Sequence, residues 1–589
     1  MNLLTKEELA RIDDPSKILE DIGDMRNAIE RVKSGSLSDD EFKRFRLHRG
    51  IYGQRPDQQG FHMVRVKIPY GLLTAKQLTR LGEIARTFAD GIAHITTRQD
   101  VQFHWVRLEN VPAILEWLAE AGLTTREACG NTVRNIVGSP LAGVAPNEVF
   151  DITPYARLLA KHLLRNPINQ QLPRKFKISF SGSPDESDGI IPWIHDIGFV
   201  ATVQQENGLA RRGFKTYVGG GLGAQPRVAD LFEDFTPAEQ LIPTAEAILI
   251  IFNTLGNREN RNKARMKYVL WKLGLDEFRR RVKEERERIL QSGRTFEIPQ
   301  ETPENDYLPL QNDPLLSNPG SSEFQRWWDT NVVPQKQQGY NVVFVNPTIG
   351  DLTTDQLFAL ADIADRFSNG LVRTTTQQDV VLRWIRHSDL IALYEELRRA
   401  GLHQSGARTI ANVTSCPGAD TCNLGITHSR ALGTTLTQLF QRNPDWHEVS
   451  RDLRVKISGC PNSCGQHHVA SIGFYGASKQ VDGREIPSYI LLVGGGLNSG
   501  QQRFGDVVGK IPARRVPDAV SRLLKMFLLN RQRDENFWRY VERVGVRSLR
   551  DALKDLMDIN PKSVDESLFV DLGQKGVFMA KTGAGECAV

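Results

Sequence analysis

The sequence is poor in cysteine, with six in 589 residues. That number is too small for a disulfide framework, and a chain kept in a reducing compartment would not hold one. Long apolar runs are missing too. No stretch of roughly 18 apolar residues occurs, and the segment around Ala247–Phe252 is far too short to cross a bilayer. The opening MNLLTKEELARIDDPSKILEDIGD is charged within six residues and lacks an apolar segment followed by a cleavage site. It does not read as a secretory signal, and a cytoplasmic location without membrane contact is expected. Charge of one sign is also scarce: Lys+Arg exceed Asp+Glu by 75 − 70 = 5. That excess suits an acidic ligand or partner and falls short of a nucleic-acid-binding footprint. No Walker A, flavin or nicotinamide fingerprint is present, so electrons for any redox reaction must come from another protein.

What is present is an ordinary globular mix, 40% hydrophobic and 25% charged, long enough for three or four folding units. The chain is also a duplication. Thr96–Val106, TTRQDVQFHWV, matches Thr375–Ile385, TTQQDVVLRWI, at six of eleven positions with an offset of 279. At the same offset Leu73–Gly91 matches Leu352–Gly370. Both segments place apolar residues at helical spacing (Leu78, Leu81, Ala85 and Phe88 in the first) and end in a capping Gly. KIS at Lys177–Ser179 matches KIS at Lys456–Ser458, again at 279, and VGGGL at Val218–Leu222 matches Val493–Leu497 at 275. Two α/β copies of about 200 residues are expected, with a site where they meet. Between them Thr295–Gln338, rich in Pro, Asn, Ser and Gln, reads as a long surface connection.

The copies differ in their chemistry. The second holds SCPGADTC, with Cys416 and Cys422, and GCPNSCG, with Cys460 and Cys464. The first has Ser139 and Ser181 at the positions aligned with Cys416 and Cys460. Four thiolates on two short loops suit a cubane iron–sulfur cluster, which takes one Cys per iron. Zinc is the rival, although a five-residue spacer is wide for a structural zinc pair. Four inert buried thiols is the bland alternative. Cys129 and Cys587 stand outside the set.

The first copy carries cations where the second carries cysteines: Arg65, Arg98, Arg134, and Arg174, Lys175 and Lys177 in LPRKFK. On a strand Lys175 and Lys177 share a face, where two ammoniums repel unless an anion lies between them. A single Arg is most often a solvated charge. Several beside apolar, strand-like segments of one copy point to an anionic ligand or substrate. The Gly-rich turns Gly219–Gly223 and Gly494–Gly496 are weak signals by comparison.

At these residues, together with NRENRNKARMKY at Asn257–Tyr268, the chain from about Gly50 to Leu556 resembles the siroheme-dependent sulfite/nitrite reductase family. The resemblance implies an α/β (α+β) enzyme of three domains, a pseudo-twofold duplication with mixed sheets and ferredoxin-like half-domains. It implies an N-terminal extension over 1–60, paired half-domains at 61–128 and 339–405, and a first siroheme-binding domain at 129–294. A linker at 295–338, a cluster-bearing domain at 406–556 and a tail at 557–589 complete the division. It further implies a [4Fe–4S] cluster on Cys416, Cys422, Cys460 and Cys464, with Cys464 also joined to the siroheme iron. Arg65, Arg134, Lys175 and Lys177 would bind the anion and supply protons, and Arg98, Gln102, His104, Arg174 and Asn462 would contact siroheme, whose eight carboxylates ask for cations.

The implied reaction is the six-electron reduction of sulfite to sulfide, with nitrite to ammonia as the alternative. Family sulfite reductases tend to show Lys-x-Lys where nitrite reductases show Lys-x-Asn, and Lys177 makes this chain Lys-x-Lys. Sulfite, a dianion, gains more from a second ammonium than nitrite does. The segment Gly138–Gly143 is similar to the ferredoxin-linked branch, implying an acidic ferredoxin as donor, with a flavoprotein as the other option. His94 stands where some sulfite reductases carry an extra Arg. Tyr52 and Cys129 occupy positions that form a covalent Tyr–Cys link in some ferredoxin-linked relatives; an ordinary buried pair is expected here. The rival readings are a corrin-synthesis monooxygenase, which would leave the Lys-x-Lys pair without a clear job, a zinc-stapled protein using its basic strips for nucleic acid, which lacks aromatic stacking motifs near them, and a simple electron-transfer protein, in which so many buried cations would be costly and unexplained. The tail, ending KTGAGECAV, is expected to be mobile.

Overall fold

The computed structural model describes residues 6–55, 57–185, 187–296, 299, 321–451, 453–498, 501–583 and 585–586. The first copy supplies strands β1 (Ile51–Gly53), β2 (Phe61–Val66), β3 (Leu72–Thr74), β4 (Ile92–Ile95), β5 (Val101–Arg107), β6 (Val137–Gly138), β7 (Ile178–Ser181), β8 (Ile197–Glu206), β9 (Leu209–Val218) and β10 (Asp230–Pro237). The second supplies β11 (Val332–Pro334), β12 (Tyr340–Val345), β13 (Asp351–Thr353), β14 (Leu371–Thr374), β15 (Val380–Arg386), β16 (Thr414–Ser415), β17 (Val455–Ser458), β18 (Ile472–Val481) and β19 (Arg484–Val493). A hairpin, β20 (Gly496–Asn498) and β21 (Gln501–Arg503), and β22 (Asp506–Pro512) complete it.

The two half-domain sheets exchange a strand. One runs β1-β2-β5-β4-β13 and the other β11-β12-β15-β14-β3, so each half completes the other's sheet. The expected helices follow these exchanged strands at Ala75–Phe88 and Thr354–Phe367. Each begins with a reciprocal cap, Thr74 with Gln77 and Thr353 with Gln356. The helices pack on one another where Gly82 meets the Phe358 ring; a Cβ at Gly82 would lie 2.8 Å from it. Gly91 and Gly370 sit three residues past the helix ends at positive φ. One continuous core, including Leu78, Leu81, Ala85, Leu357, Leu360 and Ala364, fills both half-domains.

Each α/β domain has a five-stranded mixed sheet, β10-β9-β8-β7-β6 in the first copy and β16-β17-β18-β19-β22 in the second. Their register corrects one alignment. Ile178 pairs with Ile197 and Val455 with Ile472, and Ile197 and Ile472 begin matching IGF strands. Ile178 is therefore the counterpart of Val455, an offset of 455 − 178 = 277, and the KIS match at 279 is slipped by two residues. A slip of two keeps every side chain on its face, so identity alone cannot detect it. Ser139 remains the counterpart of Cys416, but Cys460 corresponds to Ser183 rather than Ser181, and Lys177 corresponds to Arg454.

Two further expectations need correction. The second part of the 295–338 connection is structured: Ser322–Asn331 is a helix with Phe324 and Trp327 buried in the half-domain core, and β11 follows directly. Polar composition hid an amphipathic turn whose apolar face is aromatic. The tail is not loose as far as Glu586, because it is held against two other parts of the molecule; Cys587 lies outside the described residues.

Candidate active site between the two halves

The duplicated TT[RQ]QD element makes the junction. Its Gln residues adopt positive φ, 63° at Gln99 and 71° at Gln378, which turns each side chain into the opposite half. Gln99 Nε2 donates to Gly138 O at 2.9 Å and Thr374 O at 2.7 Å, and its Oε1 accepts from Gly138 N at 2.9 Å. Gln378 mirrors it, donating to Ile95 O and accepting from Ser415 N, both at 2.8 Å. Gly138 and Ser415 immediately precede Ser139 and Cys416, so this clamp fixes one cysteine loop and its counterpart.

Across the junction Thr97 Oγ1 donates to the Cys464 carbonyl at 2.8 Å. The cation-bearing turn of the first copy thus touches the fourth cysteine of the second. Cys416 Sγ accepts from Gly459 N at 3.2 Å and lies 3.6 Å from Ser429 Oγ. Burial pushes the Cys416 thiol up to about 12, with the neighbouring Cys464 and Cys422 adding to it. Cys460 and Cys422 are raised for the same reasons, burial first and Cys464 next. Thiols raised in this way by burial and by one another need a cationic body beside them to become thiolates. Among the described residues no group of three or more His, Cys, Asp or Glu side chains is packed as a single-ion site, so the four thiols are tied together by their loops and their electrostatics. In the first copy the equivalent loop is closed instead by Asp188, which accepts from Ser181 Oγ at 2.9 Å and Gly182 N at 3.1 Å.

The cations converge on the same junction. Burial, then Arg98, Lys175 and Arg265, pull the Lys177 ammonium well below its ordinary value, while Cys464 acts the other way. Lys175 and Lys177 flank the buried bridge residue Phe176 and keep the alternation expected of a strand, although β7 proper begins at Ile178. Arg134 is buried and donates from Nε to Gly130 O at 2.9 Å, from Nη1 to Ala128 O at 3.2 Å and from Nη2 to the Tyr52 hydroxyl at 3.4 Å. Arg65 also donates to Ala128 O, at 3.3 Å, and its guanidinium lies 5.4 Å from the Tyr52 ring centroid. Burial disfavours the Arg65 charge, but Cys129, Tyr52 and Asp100 more than offset it. Arg174 reaches Asn131 Oδ1 at 3.3 Å. Beside Gly130 and Asn131 opens a cleft of about 640 Å³, with Arg44, His48, Arg126 and Arg258 on its walls.

The residues expected to contact siroheme divide. Arg98 donates to Asn135 O, yet its Nε is buried without a partner, and burial lowers its guanidinium to about 10. His104 is buried and its Nδ1 also has no partner. Such unpaired donors suit the carboxylates of a polyanionic group. Gln102 is already engaged: with its amide oxygen facing Arg65 it accepts from Nε at 2.9 Å and Nη2 at 2.5 Å. Asn462 is exposed at the turn between Cys460 and Cys464. His94 belongs to the junction, with Nδ1 2.7 Å from Asp351 Oδ1 and Nε2 3.2 Å from Gln378 Nε2. Two acids escaped the sequence reading. Asp100, buried between Arg65 and Arg98, is raised to about 6 by burial against their pull. Asp196 accepts from the Lys177 backbone N and from Arg265 Nη2, both at 2.9 Å, and so fixes the main chain at Lys177 and the Arg265 guanidinium. The D of TTRQD was the visible signal for the first; nothing local marks the second.

Comparison with known proteins decides what this junction is. The nitrite and sulphite reductase 4Fe-4S domain matches residues 129–290 and 406–560, and the nitrite/sulfite reductase ferredoxin-like half domain matches 54–121 and 333–400. The chain belongs to the nitrite and sulphite reductase family. It is 31% identical to a chloroplastic ferredoxin–nitrite reductase of Zea mays, over 87% of each chain. It is 30% identical to a sulfite reductase [ferredoxin] of Mycobacterium tuberculosis, over 90% of this chain and 94% of the relative. The solved structure of the Mycobacterium tuberculosis NirA protein superposes with a TM-score of 0.75 at 27% identity, covering 92% of this chain and 98% of that one. Membership makes the protein an oxidoreductase with siroheme and a [4Fe–4S] cluster as cofactors, and removes zinc from consideration. No helix among the described residues is long and apolar enough to cross a membrane.

Proposed function

We propose that the protein catalyses the six-electron reduction of sulfite to sulfide with electrons from an acidic ferredoxin. One observation carries the reading: Thr97 and Cys464 join the cation wall of the first copy to the thiols of the second, so anion and electron source meet at one point. Cys416, Cys422, Cys460 and Cys464 would hold the cluster, and Cys464, whose carbonyl accepts from Thr97 of the cation-bearing turn, would be the ligand shared with siroheme. When bound, these two centres supply the electrons. Arg98 and Arg174 neutralise siroheme carboxylates, His104, held neutral by burial, offers them its unpartnered Nδ1 as a hydrogen-bond donor, and Asn462 borders them from the Cys460–Cys464 turn.

Arg65, Arg134, Lys175 and Lys177 surround the substrate anion. Arg65 and Arg134, held in place before it arrives by Ala128 O and Gly130 O, and the two lysines, with Asp196 fixing the main chain at Lys177, draw a dianion in and stabilise charge as oxygen leaves. The Lys177 ammonium, lowered by burial and by neighbouring guanidiniums, gives up its proton readily, which fits it to deliver a proton to departing oxygen. Gln102 orients Arg65 in this scheme. Lys177 favours sulfite over the monoanion nitrite. Relatives of both names at about 30% identity make the nitrite reading the alternative. The small basic excess suits an acidic electron donor.

The deciding experiment is a visible spectrum of the purified protein followed by steady-state rates on sulfite and nitrite with a reduced low-potential dye. A higher kcat/KM on sulfite is expected; a strong preference for nitrite would overturn the substrate and keep the site.

A further inference from the structure

The C-terminal arm runs from the second copy's sheet to the junction. Phe578 N donates to Phe569 O at 2.7 Å, and Ala580 N to Glu485 Oε2 at 2.8 Å. The arm then crosses the loop that bears Cys422. Gly583 N donates to Asn423 O at 2.8 Å, and Gly585 is buried so closely on Leu424 that a Cβ there would lie 2.7 Å from its Cδ1. Arg55 ties the same places together, donating to Lys581 O at 2.5 Å, Cys422 O at 3.3 Å and Gly425 O at 3.2 Å.

Its last described residue reaches β1. Arg46 Nη1 and Glu586 Oε2 form an ion pair at 2.6 Å, with the side chains only 9% and 12% exposed. Arg46 Nη1 also donates to Ile51 O at 3.1 Å, and Glu586 Oε2 accepts from Gly53 N at 3.0 Å. Strand β1 is a three-residue edge paired on one side with β2. Its open side would otherwise present those backbone groups to solvent. The ion pair grips both neighbours of Tyr52, and Tyr52 is the residue that touches Arg134 and Arg65.

We propose that Glu586, together with Arg46, is a positioning residue for Tyr52 and through it for the Arg65–Arg134 pair, making the C-terminal arm part of the anion site. The proposal rests on the anion role given above to those two arginines. Removing Glu586 leaves Arg46 buried without its partner and frees the edge strand, so Tyr52 loses its fixed place while the cluster cysteines keep theirs.

The test compares full-length holoenzyme with Glu586→Gln and Glu586→Ala. Gln keeps an acceptor for Gly53 N and loses the charge; Ala loses both. For Glu586→Ala the KM for the anion, and its Kd from titration of the visible spectrum, are expected to rise about tenfold. Glu586→Gln should fall between. If both constants stay within about twofold while the melting temperature drops, the arm is only structural and the proposal fails; unchanged values throughout overturn it equally. Should the unaltered enzyme reduce neither sulfite nor nitrite, the functional reading falls, and the positioning of Tyr52 is still decided by nitration with tetranitromethane and peptide mapping. Glu586→Ala should then nitrate Tyr52 several-fold faster; equal rates would refute it.

Discussion

Replacing Lys177 by Asn tests the substrate assignment most directly. The backbone should tolerate the change, because the bonds that fix this position are made by its N–H, to Asp196 at 2.9 Å, and by its carbonyl, from Ile197 N at 3.1 Å. The effect is therefore electrostatic. One ammonium about 4 Å from one unit of anion charge is worth about 4 kcal/mol at an effective dielectric near 20. Arg65, Arg134 and Lys175 remain, and desolvation offsets part of the gain, so a net value of about 1.5–3 kcal/mol per unit charge is the better guide. Sulfite carries one negative charge more than nitrite. The sulfite-to-nitrite ratio of kcat/KM should consequently fall about ten- to a hundredfold. Steady-state rates on both anions with a reduced low-potential dye measure it, with the visible spectrum confirming full cofactor content. Lys177→Arg, which keeps the charge, should retain most of the sulfite preference. A ratio that moves less than about threefold in Lys177→Asn would refute the reasoning and return the choice of anion to shape rather than charge.

Cys464→Ser should lose cluster iron and siroheme absorption together, measured as iron, acid-labile sulfide and the visible spectrum; a normal spectrum would remove the shared-ligand role. Gln99→Ala leaves the buried Gly138 N–H and two carbonyls without their partner and should cost about 2–4 kcal/mol in denaturant unfolding; a loss below about 0.5 kcal/mol would show that the clamp is incidental. Glu246 is pushed up by burial but held down to about 2 by His162 and the bidentate Arg294. A carboxylate depressed on folding contributes above its unfolded value of 4.5 and loses that contribution as pH falls toward 2. Discounted for the half-exposed Arg294, this is about 1–2 kcal/mol. Glu246→Gln should therefore be destabilised at pH 7 and nearly equal to the unaltered protein near pH 2; an equal deficit at both pH values would contradict the linkage.

The cysteine spacing, the serines that replace cysteines in the first copy and the paired helices were legible because each is a local pattern with a local cause: a ligand count, a residue type, an apolar period. What escaped is non-local. β3 and β13 are three residues each and read as the lead-in to a helix, yet they complete the opposite half's sheet. The KIS identity favoured a register that pairing through Ile197 and Ile472 rejects, and a period of two made the wrong register look as good as the right one. Asp196 carries no motif, because fixing the main chain at Lys177 and the Arg265 guanidinium is a property of three separate segments. The tail shows the same failure from the other side. Gly, Ala and Thr in a row signal mobility wherever nothing binds them, but Gly585 packs so closely on Leu424 that a Cβ would push its side chain aside, and Glu586 is held by Arg46 and Gly53. Small residues at a terminus thus have two readings, looseness and close approach, and only the surface on which they land distinguishes them.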